Sequence, residues 1–500
     1  MPGAIAQAIA FFFAMRRYLI LPVLLCVAGT LPLLASGDPA GDIRISYLNL
    51  DRRSGNIQLA AHYPDQSAVS IRLTALRDFL DCLMDQTAIA TDRFHSRADY
   101  WIPFLKKQEP ADPVGTAACI EISLYQAVLA SQLSDYKTAS LSLIRAYREI
   151  EKNGQILSVP DRDKLSGILG ILFSVVPEQA ARILRMTGVK PAVLGSFAGL
   201  RKYYEESVPG TADRLEGWLL MVTSLKEFSE DTEQAWEFVQ QQGNPFPGNP
   251  LVLYQSALAA LKAGHNDEAI RLLEATPDGF PKPLFPAWNY QLGRCYLNRL
   301  DLRAEACLNS FLEDPGGETY RHIATLRLAW SRLVHGQPDE FRQLAQAILT
   351  LPQPRTPYDK HAVREVKGTD VPDAELIRLR LLFDGGYYDR CLNGCLLRRQ
   401  DPFLSGRDAA ELDYRTARCY HRLGRREEAI SHYLRVISQR DQVQSYWLPN
   451  SALQAGFLYK EKGQQDLART YFELALKLNR YGYREGIERQ AKAALAGLVP

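Results

Sequence analysis

Several features the chain lacks narrow what it can be. It has no excess of charge: 59 basic residues face 57 acidic ones, a formal net charge of +2. No global field therefore gathers nucleic acid, and only a local patch could do so. Strict apolar–polar alternation is confined to IRISYLNL at 43–50, which argues against a sheet-based fold. No Walker loop, nucleophile elbow, HExxH, paired CxxC, EF-hand loop or dinucleotide fingerprint is present. That removes the enzyme and metal classes recognisable by spacing. After residue 37 there is no run of 18 apolar residues, and the longest, GILGILFSVV at 167–176, has the length of a buried helix. No N-x-S/T sequon occurs.

The composition present is that of a folded protein, with 46% hydrophobic and 23% charged residues over 500 positions. Such a chain is too long for one ordinary core and suits several domains or one repeat array. From Met15 it reads MRRYLILPVLLCVAGTLPLLASGDPA. Two arginines, an apolar stretch from Tyr18 to Ala35 and small residues at Ala35 and Gly37 have the layout of a secretory signal cut after Gly37. Residues 1–14 add a second apolar run ahead of the arginines, so Met15 reads as the real start. An uncleaved anchor is the alternative, against which Pro22 and Pro32 interrupt the apolar run. Cleavage leaves Cys82, Cys119, Cys295, Cys307, Cys391, Cys395 and Cys419, an odd and scattered set that is no disulfide framework. Residues 38–64 read as a linker.

From about residue 68 onward, apolar residues recur three and four apart, in helices separated by short Gly, Pro, Asp or Asn turns. PNSALQAGFLYKEKGQQDLARTYFELALKLN (449–479) carries Gly456, Tyr459, Gly463, Ala468, Phe472 and Ala475 at the offsets of a tetratricopeptide repeat. The preceding unit (411–437) supplies Tyr420, Gly424, Ala429 and Tyr433 at the same offsets, and 249–277 supplies Ala257, Gly264, Ala269 and Leu273. The unit 289–315 keeps Gly293 and Tyr296 but slips by one residue in its second helix, and 123–147 is a weaker relative centred on Tyr136 and Ala139. The offsets have a packing basis. Small residues let the two helices of a hairpin approach, the aromatic fills the space between hairpins, and Gly takes the left-handed turn. In this register Gly386 aligns with Gly424 and Gly463, and Cys391 and Cys395 fall at the core positions of Ala429 and Tyr433. Four residues apart on one helix, these thiols are badly aimed for a disulfide, and no nearby pair completes a zinc site.

Three stretches go beyond generic repeat patterning: KLSGILGILFSVVPEQAARILRMTGVKPAVLGSFAGLRKY (164–203), RLRLLFDGGYYDRCL (378–392) and SYWLPNSALQAGFLYKEKGQQDLARTYFELALKLNRYGYREGIERQAKAAL (445–495). Together they resemble the family of tetratricopeptide repeat protein 39 and its fungal inclusion-body-clearance relative, and more closely a secreted bacterial branch of tetratricopeptide-repeat proteins. The likeness covers roughly residues 65–498. It implies an α-helical solenoid and supplies no catalytic residue to carry over. The secretion signal departs from the intracellular eukaryotic members.

The expected fold is all-α: a tetratricopeptide-type helical-hairpin solenoid, winding as a right-handed superhelix. Divergent hairpins would fill 65–248, repeats 249–350, a Pro- and charge-rich break 351–372, and further repeats with a capping helix 373–500. In such solenoids the first helix of each hairpin lines a concave face that meets extended peptides or partner helices. Its exposed positions in the last units are expected to be Arg380 and Phe383, then Tyr414, Arg418, His421 and Arg422, then Leu453, Phe457 and Lys460. Cations with aromatics between them suit an acidic segment or a C-terminal carboxylate. His421 and His432 form a conceivable ligand pair with no third ligand in view, and read better as surface or packing residues. No catalytic residue, metal or cofactor is expected. The favoured function is a non-catalytic protein-interaction scaffold, exported to the periplasm or envelope of a Gram-negative bacterium, with a protein or peptide partner and no nucleic acid. Two alternatives are an accessory subunit held at a membrane, by an uncleaved N-terminus or an apolar face near 165–200, and an enzyme with its site in the divergent N-terminal half.

Overall fold

The computed structural model describes residues 38–108, 112–174, 189, 197–229, 231–275, 285–368, 371–402, 404–440, 445–478 and 484–498. The signal segment and, within the stretch 164–203, residues 175–188 and 190–196 lie outside the described residues. Among the described residues there are 24 α-helices and no strand.

The first two helices correct the linker reading. Residues 43–50 belong to no strand: α1 spans Pro39–Leu48 and α2 Arg52–His62. Asp38 caps α1 by accepting from the Ala40 backbone N–H, with Pro39 in the first turn, where its missing N–H is harmless. Ile43, Ile45, Tyr47 and Leu48 are all buried. With neighbours on several sides of α1, its apolar residues mimic alternation while also falling three and four apart. Gly55 lets α2 close on the Tyr47 ring, 2.5 Å from where a Cβ would stand.

Four hairpins follow: α3 (Ala68–Asp85) with α4 (Ala88–Lys106), α5 (Pro113–Gln132) with α6 (Tyr136–Asn153), α7 (Val159–Ser174) with α8 (Phe197–Glu206), and α9 (Ala212–Phe228) with α10 (Gln234–Gln242). Helix α5 is long and apolar enough to cross a membrane, but 94% of that stretch is buried inside the protein, so it is a core helix. The central hairpins are α11 (Pro250–Ala263) with α12 (Asn266–Glu274), α13 (Pro286–Asn298) with α14 (Arg303–Glu313), and α15 (Arg321–Val334) with α16 (Pro338–Thr350). The expected break contains a helix, α17 (Pro357–Val366), packed on α15 and α16. Its prolines mislead as breakers, because Pro357 sits in the first turn and Thr356 caps the helix by accepting from the Asp359 N–H. The C-terminal hairpins are α18 (Ala374–Asp384) with α19 (Tyr388–Arg398), α20 (Gly406–Arg422) with α21 (Arg426–Ser438), and α22 (Trp447–Glu461) with α23 (Gln465–Leu478). Helix α24 (Arg484–Ala496) packs on the last pair.

The repeat register is visible in the turns. Gly264, Gly386, Gly424 and Gly463 have φ of 90°, 80°, 75° and 74°. The residue after each donates its N–H five residues back, to Ala260, Leu382, Tyr420 and Tyr459, at 2.8–2.9 Å. The hairpin α5–α6 makes the same turn with Ser134 at φ 62°, and the slipped hairpin α13–α14 makes it with Leu300 at φ 64°. At the small-residue position Ala269, Cys391, Ala429 and Ala468 are all fully buried, and Leu273, Cys395, Tyr433 and Phe472 are buried one helical turn on.

The hydrophobic core runs unbroken from Ile43 to Leu381, so it crosses the expected boundary at 248, and two smaller clusters serve the C-terminal hairpins. Distant hairpins also meet edge to edge. The turn at Gly386 rests on the turn at Gly264, so closely that a Cβ on Gly386 would stand 1.8 Å from the Gly264 carbonyl oxygen. The Tyr387 hydroxyl donates to Asp267 (2.8 Å) and accepts from Asn266 Nδ2 (3.0 Å) across the same seam. The DGGYY stretch is thus both a hairpin turn and the knuckle joining the C-terminal hairpins to the central ones.

Candidate functional site

The residues expected to line the groove do not form one open row. Phe383 and Tyr414 are 7% and 1% exposed, and Leu453 is 1% exposed, so all three are core rather than contact surface. They face inward because the next hairpin packs on them: Tyr414 stacks on Trp447, with ring centroids 6.4 Å apart. Phe457 lies edge-on to Phe472 at 5.1 Å, with Lys460 half-buried one turn on, at the far end of the array. Arg380 stands apart at α17, over the Trp330 ring at 4.7 Å and paired with Glu365 at 3.0 Å. His421 packs edge-on to Tyr433; burial lowers its pKa, and Arg422, Arg426 and Arg418 add to this against Glu461.

What the fold does bring together is a cation–aromatic stack. The Arg418 guanidinium lies 4.0 Å from the Phe383 ring centroid and 5.7 Å from that of Tyr414. Arg422, one turn along α20, lies 5.2 Å from the Tyr388 ring. Arg422 pairs with Glu233 at 2.9 Å. Arg418, half-buried, has no carboxylate within ion-pair distance among the described residues. Its guanidinium rests on rings, and the Asp384 carboxylate acts on it only from beyond ion-pair distance.

The thiols of Cys391, Cys395 and Cys419 meet in the core between α19 and α20 and are all fully buried. Cys391 Sγ donates to the Leu379 carbonyl at 3.2 Å. The hydrogen bond with Cys395 lowers the Cys391 pKa, but the one with Cys419 and burial outweigh it, and the Cys391 thiol and burial raise Cys395, so both stand well above the usual thiol range, the state of unreactive core groups. His432 meets Asp413 (3.1 Å) whereas His421 meets the Tyr433 hydroxyl (3.4 Å), so the two imidazoles have different partners. Among the described residues no three His, Cys, Asp or Glu side chains converge as a metal site.

Sequence reasoning missed a second cluster, in the N-terminal half. Lys164 of α7, 2% exposed, donates to Glu121 (2.7 Å) and to both oxygens of Glu216 (3.2 Å). Arg72 of α3 grips Glu121 with two 2.8 Å bonds and also pairs with Asp161. Arg44 of α1 pairs with Asp213 and stands 3.5 Å from Glu216, and the Tyr203 hydroxyl donates to both of those carboxylates. Four carboxylates thus face three cations, and of these Arg44, Arg72, Glu121 and Glu216 also line a cavity of about 110 Å³ whose remaining lining is mostly apolar. One sequence signal could have located it: a lone acid inside an apolar run, Glu121 in AACIEISLYQAVLA and Glu216 in RLEGWLLMV. Such a charge must find a buried partner.

Tetratricopeptide repeat family models match residues 411–441 and 449–481, the hairpins α20–α21 and α22–α23. No curated protein matches the chain in sequence. Among solved structures the chain is similar to a monomeric mutant of IFIT1 with m7Gppp-AAAA, at 13% identity and a TM-score of 0.33, over 93% of this chain and 99% of that one. It is also similar to the APC/C hetero-tetramer Cut9–Hcn1, at 13% identity and a TM-score of 0.26, over 92% of this chain and 90% of that one. The chain is an all-α helical-repeat solenoid with tetratricopeptide repeats, modules that generally bind protein or peptide partners.

Proposed function

We propose that the protein is a non-catalytic interaction scaffold whose C-terminal hairpins hold an acidic segment or C-terminal carboxylate of a partner protein. Arg418 carries this reading. Stacked on Phe383 and lacking a carboxylate partner among the described residues, it keeps its charge for an incoming acid. The anchor is narrower than the row read from the sequence, because Phe383 and Tyr414 support the guanidinium from beneath instead of meeting the partner. The layout of residues 15–37 supports export, so the partner is sought in the periplasm or envelope of a Gram-negative bacterium. The N-terminal cluster favours no second function: each of its carboxylates accepts from Arg, Lys or Tyr, an arrangement that clamps helices together.

The test is affinity capture from envelope extract with the chain lacking residues 1–37, comparing wild type with Arg418→Glu. The charge reversal abolishes capture while circular dichroism keeps its helical signal. Capture that survives the reversal refutes the groove.

A further inference from the structure

Two of the cations expected in the groove are already neutralised from within the chain, in different ways. Arg380 pairs with Glu365 of α17 and stacks on Trp330, as part of the packing. Arg422 instead reaches the loop before α10, 189 residues away in sequence. It donates to Glu233 Oε1 (2.9 Å), Thr232 Oγ1 (3.2 Å) and the Ala263 carbonyl (3.1 Å). The Arg422 and Glu233 side chains remain 33% and 36% exposed, and the other Glu233 oxygen stands 3.4 Å from His265. Asp231, exposed in the same loop, accepts from the Glu233 backbone N–H at 2.9 Å.

We propose that the loop Asp231–Glu233 is an in-chain pseudo-ligand. It occupies the Arg422 end of the groove and is displaced when an acidic partner segment takes Arg422 and Arg418 together. The inference rests on the groove reading above and adds its regulation and the partner's spacing. Arg418 and Arg422 lie four apart on one helix face, with Cβ atoms about 5–6 Å from each other. An extended chain rises about 3.3 Å per residue, so acids at alternate positions on one side stand about 6.6 Å apart and match the pair. The fitting partner is therefore an extended segment with acidic residues at alternate positions. The internal contact suits exchange, because a half-exposed ion pair shifts an equilibrium by about 5-fold or less.

The probe is a short fluorescein-labelled peptide of alternating Glu and Thr, titrated by anisotropy at low salt against the full chain. Glu233→Gln is expected to bind it about 3- to 5-fold more tightly than wild type, because the competing carboxylate is gone. Arg418→Gln is expected to weaken binding by about 10-fold or more in either background. Hydrogen exchange at the amides of 231–234 is expected to speed up when the peptide binds wild type. Equal affinity of wild type and Glu233→Gln, or unchanged exchange at 231–234 with peptide bound, overturns the inference and leaves the groove standing. Failure of both proteins to bind, with helicity intact, overturns the groove and the inference with it.

Discussion

Replacing Lys164 by Met tests whether the N-terminal cluster holds its helices together. The ammonium is 2% exposed, 2.7 Å from Glu121 and 3.2 Å from Glu216, so the substitution removes one of three cations facing four carboxylates, of which Glu121 and Glu216 are buried. Breaking a buried pair by deleting one partner costs about 3–5 kcal/mol. Arg72 still grips Glu121 and Arg44 still reaches Glu216, which places the expected loss near the lower end, about 3 kcal/mol. A hairpin array unfolds in parts, so urea unfolding is best read together with native-state hydrogen exchange in α5, α7 and α9. A loss below about 1 kcal/mol, with exchange in those helices unchanged, would refute the clamp. The pH dependence has a definite sign. Burial opposes the charge on Glu121, but Arg72 and Lys164 outweigh it and hold the carboxyl well below its usual range; Asp161 is lowered in the same way. A depressed carboxylate contributes stability above its ordinary value and loses it as pH falls. Protection of these helices, taken relative to exchange of the unfolded chain at the same pH, should therefore hold near neutrality and fall below about 4.5.

Gly386→Ala and Gly424→Ala put the same strain into two turns with different surroundings. Gly424 has φ 75° and open space around it, so alanine there costs about 1 kcal/mol; at Gly386, φ 80°, the Cβ also meets the Gly264 carbonyl, and thermal melting should show a loss of about 2–4 kcal/mol. Burial pushes the Asp359 carboxyl up to about 7, against hydrogen bonds from Thr356 Oγ1 (2.6 Å) and the Ile323 N–H (3.3 Å). A raised acid stabilises below its ordinary 3.8 and loses that contribution as pH rises toward 7. Asp359→Asn should therefore gain on wild type by about 4 kcal/mol between those limits, read from melting at stepped pH. Among the cysteines of the described residues only Cys307 is not fully enclosed, its thiol pushed up to about 11 by burial. Mass spectrometry after alkylation at pH 8 should find Cys307 modified first, with Cys391, Cys395 and Cys419 protected until urea is added.

The hairpins were legible because their signals are local. Gly264, Gly386, Gly424 and Gly463, with the small residue five positions after each, report contacts inside one unit of about 34 residues. Where the local signal had two readings, the sequence misled. IRISYLNL alternates and also spaces its apolar residues three and four apart, and only burial on several sides shows that it is α1. The prolines of 351–357 read as a break, although Pro357 can equally open a helix, as it does in α17. Of the groove residues, the sequence placed Arg418 and Arg422 on one face of α20 but could not show that Phe383 and Tyr414 lie beneath them.

The sequence by itself determined the all-helical character, the hairpin register and the core role of Cys391 and Cys395, because each follows from residues within a few helical turns. The tertiary structure alone decided which charges are free. Arg380 meets Glu365, Arg422 meets Glu233 and Lys164 meets Glu121 and Glu216, across 15, 189, 43 and 52 residues. Where separations are long, proximity comes from the accumulated rotation of successive hairpins, a sum that no single window of sequence contains. That is why Arg418, indistinguishable in the sequence from its neighbours on α20, is the groove cation that rests on the Phe383 and Tyr414 rings without an ion pair among the described residues.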